Sequence, residues 1–187
     1  LERLVDRAEG DPSIAICEAR QAPKEHTKSV DPETGETSWC SGAAALIRRS
    51  AFEEVGGFDE RLFFMYCEDV DLSWKLWIRG WRCVYVRDAV VNHNSLPGKS
   101  RTQENYFSFR NSLFLYHRYR REGESGLLRA FLLKRFVSRH YSLKSKALFA
   151  IAFADHIRYI SYLAKTRQEW GGRDHPWIRL GETSLSE

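Results

Sequence analysis

The sequence is short of the features that mark several protein classes. Its four cysteines, Cys17, Cys40, Cys67 and Cys83, stand 23, 27 and 16 positions apart. They form no CxxC pair, and no Cys/His run has the spacing of a zinc site, so reduced, buried thiols of a cytosolic protein are expected. No window approaches the roughly 18 uncharged apolar residues that a spanning helix needs. The best is residues 147–154, and the chain by itself is not expected to cross a bilayer. There is no internal repeat and no low-complexity tract. No Ser/His/Asp arrangement for a covalent intermediate stands out. The first ten residues lack an initiator Met and a signal-like basic-then-apolar pattern. They read as the last turns of an amphipathic helix, with further chain expected before them.

What is present is the material of a substantial core: 187 residues, 43% hydrophobic, with 6 Trp, 8 Tyr and 11 Phe. That length suits one ordinary domain or part of a larger one. Charge is divided unevenly. Residues 1–98 carry 12 Lys/Arg against 17 Asp/Glu, a balance of −5, and residues 99–187 carry 17 against 8, a balance of +9. A basic half suits nucleic acid, anionic lipid, an anionic substrate or simply a solvated helix face.

Residues 13–17 read as a short buried strand and residues 18–38 as a polar surface loop. The segment 39–49 starts with small residues and becomes apolar, as a strand does where its backbone approaches another chain or a ligand closely. Ser50 is expected to cap a short helix over 51–55 that Gly56 and Gly57 terminate. An aromatic stretch, 62–66, leads into a helix from Glu68 with acids at its start and Gly80 at its C′ position. Two strand-like runs, 81–86 and 89–91, follow, the second leading into Asn92, His93 and Asn94. Helical patterns dominate from Gln103, interrupted at 123–126.

Three constellations suit chemistry. Glu68, Asp69 and Asp71 crowd the mouth of one helix, and like charges so close raise the pKa of at least one, which suits a proton acceptor. The same acids also suit the helix dipole and free backbone N–H groups. His93 ends an apolar strand, where open α/β sheets hold ligands, and a neutral imidazole there suits a metal. It equally suits a strand cap. Third, the aromatic and basic residues from Tyr106 onward have the spacing of a core stripe, with Lys/Arg between the rings that suit an anionic surface.

In order and spacing, residues 41–49, 55–60, 64–72, Gly80-Trp81 and 91–93 resemble the second half of a family 2 glycosyltransferase of GT-A fold. The likeness is to bacterial rhamnosyltransferase-like and galactofuranosyltransferase-like members, over about residues 1–120. It implies an α/β, Rossmann-like fold: the acceptor-side half of a GT-A domain in 1–102, then a basic helical extension in 103–187. It implies inverting transfer of a sugar from a nucleoside-diphosphate donor to the hydroxyl of a glycan or lipid-linked glycan in cell-envelope synthesis. Asp69 matches the general base, and His93 matches the residue that helps hold a divalent cation, Mg²⁺ or Mn²⁺, on the donor diphosphate. Trp39, Ser41 and Gly42 match the segment lining the acceptor and donor-sugar pocket, and Glu68 and Asp71, placed with that binding site, are implied to orient the helix mouth or the acceptor. Arg110 and Asn111 resemble an Arg-Asn pair of the family.

Family members carry an Asp-x-Asp motif earlier in the chain. None precedes residue 39, so a fragment lacking the nucleotide-binding half, inactive by itself, is expected. A cytoplasmic protein, peripheral on the inner membrane face, is the implied location. A basic helical nucleic-acid module and a metal-dependent hydrolase are the alternatives; the first leaves the acidic half unexplained, and no nucleic-acid partner is expected.

Overall fold

A computed structural model describes residues 1–94, 101–139 and 141–180. In chain order the elements are α1 (Glu2–Glu9), β1 (Ile14–Ala22), a 3-10 turn (Gly42–Ala44), β2 (Ala45–Ile47), α2 (Arg49–Glu54), α3 (Glu68–Ile78) and β3 (Arg82–Asn92). The helices α4 (Arg101–Tyr119), α5 (Ser125–Val137), α6 (Leu143–Arg158) and α7 (Ile160–Trp170) follow. The sheet has the order β2-β1-β3, with β1 antiparallel to β2 and parallel to β3.

Three expectations are corrected by this arrangement. The first strand does not stop at Cys17 but runs to Ala22, because Glu18 and Gln21 are buried and polar partners meet them inside the fold. The loop that follows is partly drawn back onto the sheet: the Thr37 N–H donates to the Cys83 carbonyl at 3.0 Å and the Tyr85 N–H to Gly35 at 2.8 Å. Ser50 does not cap α2, which starts two residues earlier than expected, with Arg48 at the cap position and no side-chain cap bond. The two strand runs after Trp81 are one strand, and their apparent interruption is an irregularity where β1 passes from Ala19 opposite Val86 to Arg20 opposite Val90. The double glycine after α2 behaves as expected. Gly57 has φ +64°, and a Cβ there would lie 2.8 Å from the Phe52 ring.

Helix α3 is the centre of the molecule. Residues 70–77 are all buried, which is the pattern of a helix enclosed on every side. Trp74 packs edge-on against Tyr119 of α4, with ring centroids 5.0 Å apart, and one continuous core joins Ile16, Trp74, Phe114, Leu163 and Trp170. The helices α4 and α7 therefore share the core of the sheet and α3. A second cluster, around Phe109 and Phe149, fastens α4 to α6. Leu4 of α1 packs with Ile14, Cys17 and Val84 on the sheet.

Candidate active site

The site is assembled at the carboxyl end of β1, where open α/β sheets place their ligands. Strand β2 runs antiparallel to β1 with Ala45 opposite Glu18, so the residues just before it, Ser41 to Ala44, travel along β1 towards its end. On the other flank Asn92 of β3 faces Ala22, and the His93 N–H donates to the Ala22 carbonyl at 2.8 Å. Gly42 and His93 thus flank one strand end from opposite sides, and Asp69 is tied to the Gly42 flank.

Asp69 stands in the first turn of α3. Its two carboxylate oxygens accept from the backbone N–H groups of Gly42, at 3.1 Å, and of Val70, at 2.9 Å. The Ser73 hydroxyl donates to the Asp69 carbonyl at 2.7 Å. Burial pushes the Asp69 carboxyl above the ordinary aspartate value; those two N–H groups, then the charges of His26 and Lys28, only partly oppose this. Its neighbour Glu68 is also raised, by burial first and by the charge of Asp69 second, and its Oε2 is buried without a partner among the described residues. Like-charge crowding is therefore at work at the helix mouth.

The mouth is shaped from behind. Tyr66 and Cys67, which lead into α3, have φ of 65° and 67°, a conformation that costs non-glycine residues energy and persists only where the surroundings impose it. The imposing residue is Asn111 of α4, whose amide donates to both the Met65 and Tyr66 carbonyls at 2.7 Å. Arg110 donates to the Leu62 carbonyl at 3.0 Å. The Arg-Asn pair is a clamp on the entry to the helix.

Of the two roles implied for Asp71, orienting the acceptor does not suit its position, which is interior. It is 0% exposed and pairs with Arg118 of α4 at 2.6 Å and with the Tyr119 hydroxyl at 2.8 Å. A carboxylate enclosed in this way cannot touch an acceptor; it fixes α3 to α4. Arg118 also pairs with Asp59. Burial alone would lower the Arg118 guanidinium, but Asp71 and its neighbours hold it above the ordinary arginine range.

Trp39 and Ser41 are buried at 5% and 3% exposure. The Ser41 hydroxyl accepts from the Ala43 N–H at 3.4 Å and so caps the 3-10 turn. Trp39 lies under Lys28, whose Nζ sits 4.7 Å from the ring centroid and donates to the Trp39 carbonyl at 3.1 Å. The indole N–H of Trp39 is buried without a partner among the described residues.

Residues that the sequence reading passed over complete the site. Glu18 and Lys28 form an ion pair with both side chains 3% exposed. Burial raises the Glu18 carboxyl, with Lys28 opposing. They line a cavity of about 490 Å³ together with Gln21, His26, Tyr85 and Arg87. The polar residues after Cys17 read as loop, and Glu18-Ala19-Arg20-Gln21-Ala22 carries no clean alternation that signals the longer strand. Among the described residues no group of three His, Cys, Asp or Glu side chains could hold a metal ion, and no helix is long and apolar enough to cross a membrane.

The α/β core thus brings a raised carboxylate, a glycine N–H and a histidine backbone to one strand end, with the Arg-Asn clamp behind the helix mouth. The profile of glycosyl transferase family group 2 matches residues 21–164, and the chain belongs to that family. Over 72 residues it is 49% identical to an N-acetylglucosaminyl-diphospho-decaprenol L-rhamnosyltransferase of Mycobacterium tuberculosis, a match covering 38% of this chain and 23% of the relative. It is 50% identical over 48 residues to rhamnosyltransferase WbbL of Escherichia coli, covering 26% of this chain and 18% of the relative. It is 35% identical over 94 residues to a pre-mycofactocin glycosyltransferase of Mycobacterium tuberculosis, covering 49% and 20%. The chain thus spans less than a quarter of the length of each of these relatives.

Proposed function

We propose that this chain forms the acceptor-activating side of an inverting sugar transfer, with Asp69 as general base. The observation that carries the reading is the Asp69 carboxylate, oriented by the Gly42 and Val70 N–H groups and made more basic by burial. The acceptor hydroxyl passes its proton to Asp69 while its oxygen bonds to the anomeric carbon. The bond from that carbon to the diphosphate breaks, and the diphosphate leaves with the electron pair from the opposite face. Inversion follows from that opposition. The Gly42 and His93 flanks of β1 supply the two sides that this geometry needs.

Glu68, Trp39, Ser41 and Gly42 are proposed to shape the sugar pocket, and His93 to face the donor diphosphate. The donor is a nucleoside-diphosphate sugar, and the similarity to rhamnosyltransferases favours a deoxyhexosyl or related group moved to a lipid-linked glycan of the cell envelope. The setting is the cytoplasmic face of the membrane. Among the described residues no group of three or more His, Cys, Asp or Glu side chains could hold the expected divalent cation; His93 is proposed to contribute one ligand to it, and the transfer is derived from what this chain's own residues do.

The test is transfer by the full protein from a panel of nucleoside-diphosphate sugars to a polyprenyl-diphospho-sugar acceptor. Asp69→Asn is expected to lower kcat by about 10²–10⁴-fold with donor KM little changed. An Asp69→Asn protein retaining most of its activity would refute the assignment, and donor turnover that ignores the acceptor would favour hydrolysis by water.

A further inference from the structure

Helix α6 is apolar on two opposite sides. Its inner side, Phe149, Ala152 and His156, is buried against α4. On its outer side Leu143, Ala147, Ala150, Ile151, Ala154 and Ile157 are all exposed. Their spacing, 4, 3, 1, 3 and 3 residues, places them on one continuous stripe. Leu143 is 87% exposed and Ile151 56%. The end of α5, one short connection away, adds Leu133 at 61% and Val137 at 68%. A helix apolar all round is normally covered, and contiguous exposed apolar surface marks an interaction site.

The charge around the stripe identifies what covers it. Residues 125–158 contain seven Lys/Arg and one Asp. Five of those bases, Arg129, Lys134, Arg139, Lys144 and Arg158, are exposed, and only Arg158 pairs with the acid, at 3.2 Å from Asp155. A second copy of this chain would bring the same positive field against itself and be repelled. An anionic bilayer accepts both parts at once: the stripe enters the boundary between headgroups and acyl chains, and the bases meet phosphates. Among the described residues no helix is long and apolar enough to span the bilayer, so the fit is to its surface.

We propose that the outer face of α6, with the end of α5, is the surface by which this protein lies on an anionic lipid membrane. The inference deepens the transferase reading, on which it rests for its purpose: the surface would bring the strand-end site to the plane of a lipid-linked acceptor.

The experiment is sedimentation of the full protein with vesicles of phosphatidylcholine alone and of an equal mixture with phosphatidylglycerol. Stronger binding to the mixture is expected. Lys134→Gln and Lys144→Gln should each weaken it about five-fold. Leu143→Asn with Ile151→Asn should weaken it by about ten-fold or more while leaving far-ultraviolet circular dichroism unchanged. Equal partitioning to both vesicles, or indifference to both sets of variants, would overturn the proposal. So would a dimer in sedimentation equilibrium that Ile151→Asn dissolves in a protein that ignores vesicles. Transfer to a water-soluble acceptor should be unaffected by the stripe variants. Its absence in the unaltered protein would sink the transferase reading and leave the vesicle result standing.

Discussion

His156 gives the protein a stability that depends on pH in a calculable way. The ring is 8% exposed, lies between Phe114 at 5.8 Å and His117 at 5.5 Å, and neither of its nitrogens has a partner among the described residues. Burial, then the neighbouring His117, lowers its pKa from 6.5 to about 4. The unfolded chain therefore binds the proton more readily than the folded one. The sign follows: the stabilising contribution is complete above pH 6.5 and is lost as pH falls from there towards 4. For a group with those two values the loss at pH 5 is about 2 kcal/mol, still above most of the carboxylate range. Urea unfolding at pH 7.5 and 5.0, followed by tryptophan fluorescence, measures it. A His156→Leu protein, which cannot take up the proton, should lose about 2 kcal/mol less between those two pH values than the unaltered protein. Equal losses in the two proteins would refute the reasoning, because they would mean that the ring protonates without leaving its site.

The buried Arg118 holds two carboxylates, so Arg118→Met should destabilise by about 3–5 kcal/mol; thermal unfolding shifted down by less than a few degrees would contradict this. Lys28→Met strands Glu18 and should cost a similar 3–5 kcal/mol, while Lys28→Met with Glu18→Gln should recover most of it, because a buried pair is worth little against uncharged replacements; a denaturation cycle reads the difference. For the transfer reaction, the acid limb of the kcat/KM profile should lie above the ordinary aspartate value of 3.8, with activity lost as pH falls through it, since burial raises Asp69; a limb at or below 3.8 would remove Asp69 as the base. Asn111→Leu leaves the Met65 and Tyr66 carbonyls unpaired and should cost about 1–3 kcal/mol in unfolding experiments.

Much of this was legible in the order of residues. Acids at the mouth of α3 and glycine at its end gave that helix nearly residue by residue, and the five segments in register gave the family. What stayed hidden depends on partners far away in the chain. Asp71 differs from Asp69 by two positions, which in a helix is just over a half turn, and only the position of Arg118, 47 residues on, shows that one carboxylate faces inward. Glu18 read as the start of a loop because a charged residue rarely lies inside a sheet, and the compensating Lys28 is recognisable only once the chain has folded back. The break in β3 was misread for a local reason: Arg87 and Asp88 look like a turn, and the strand absorbs them as an irregularity against β1.

The complete enclosure of α3 has a practical consequence for anyone redesigning the protein. A helix that packs on every side has no room to slide or rotate, so its first turn is a fixed datum and Asp69 cannot be re-aimed without dismantling the interior. Variation in what the protein accepts must come from the parts around that datum. The segment from Pro23 to Thr27 is the natural choice, because its residues are exposed, Glu25 and His26 line the cavity, and Lys28 moors its end. A library confined to those positions would change the shape of the entrance and leave the proton acceptor where it is.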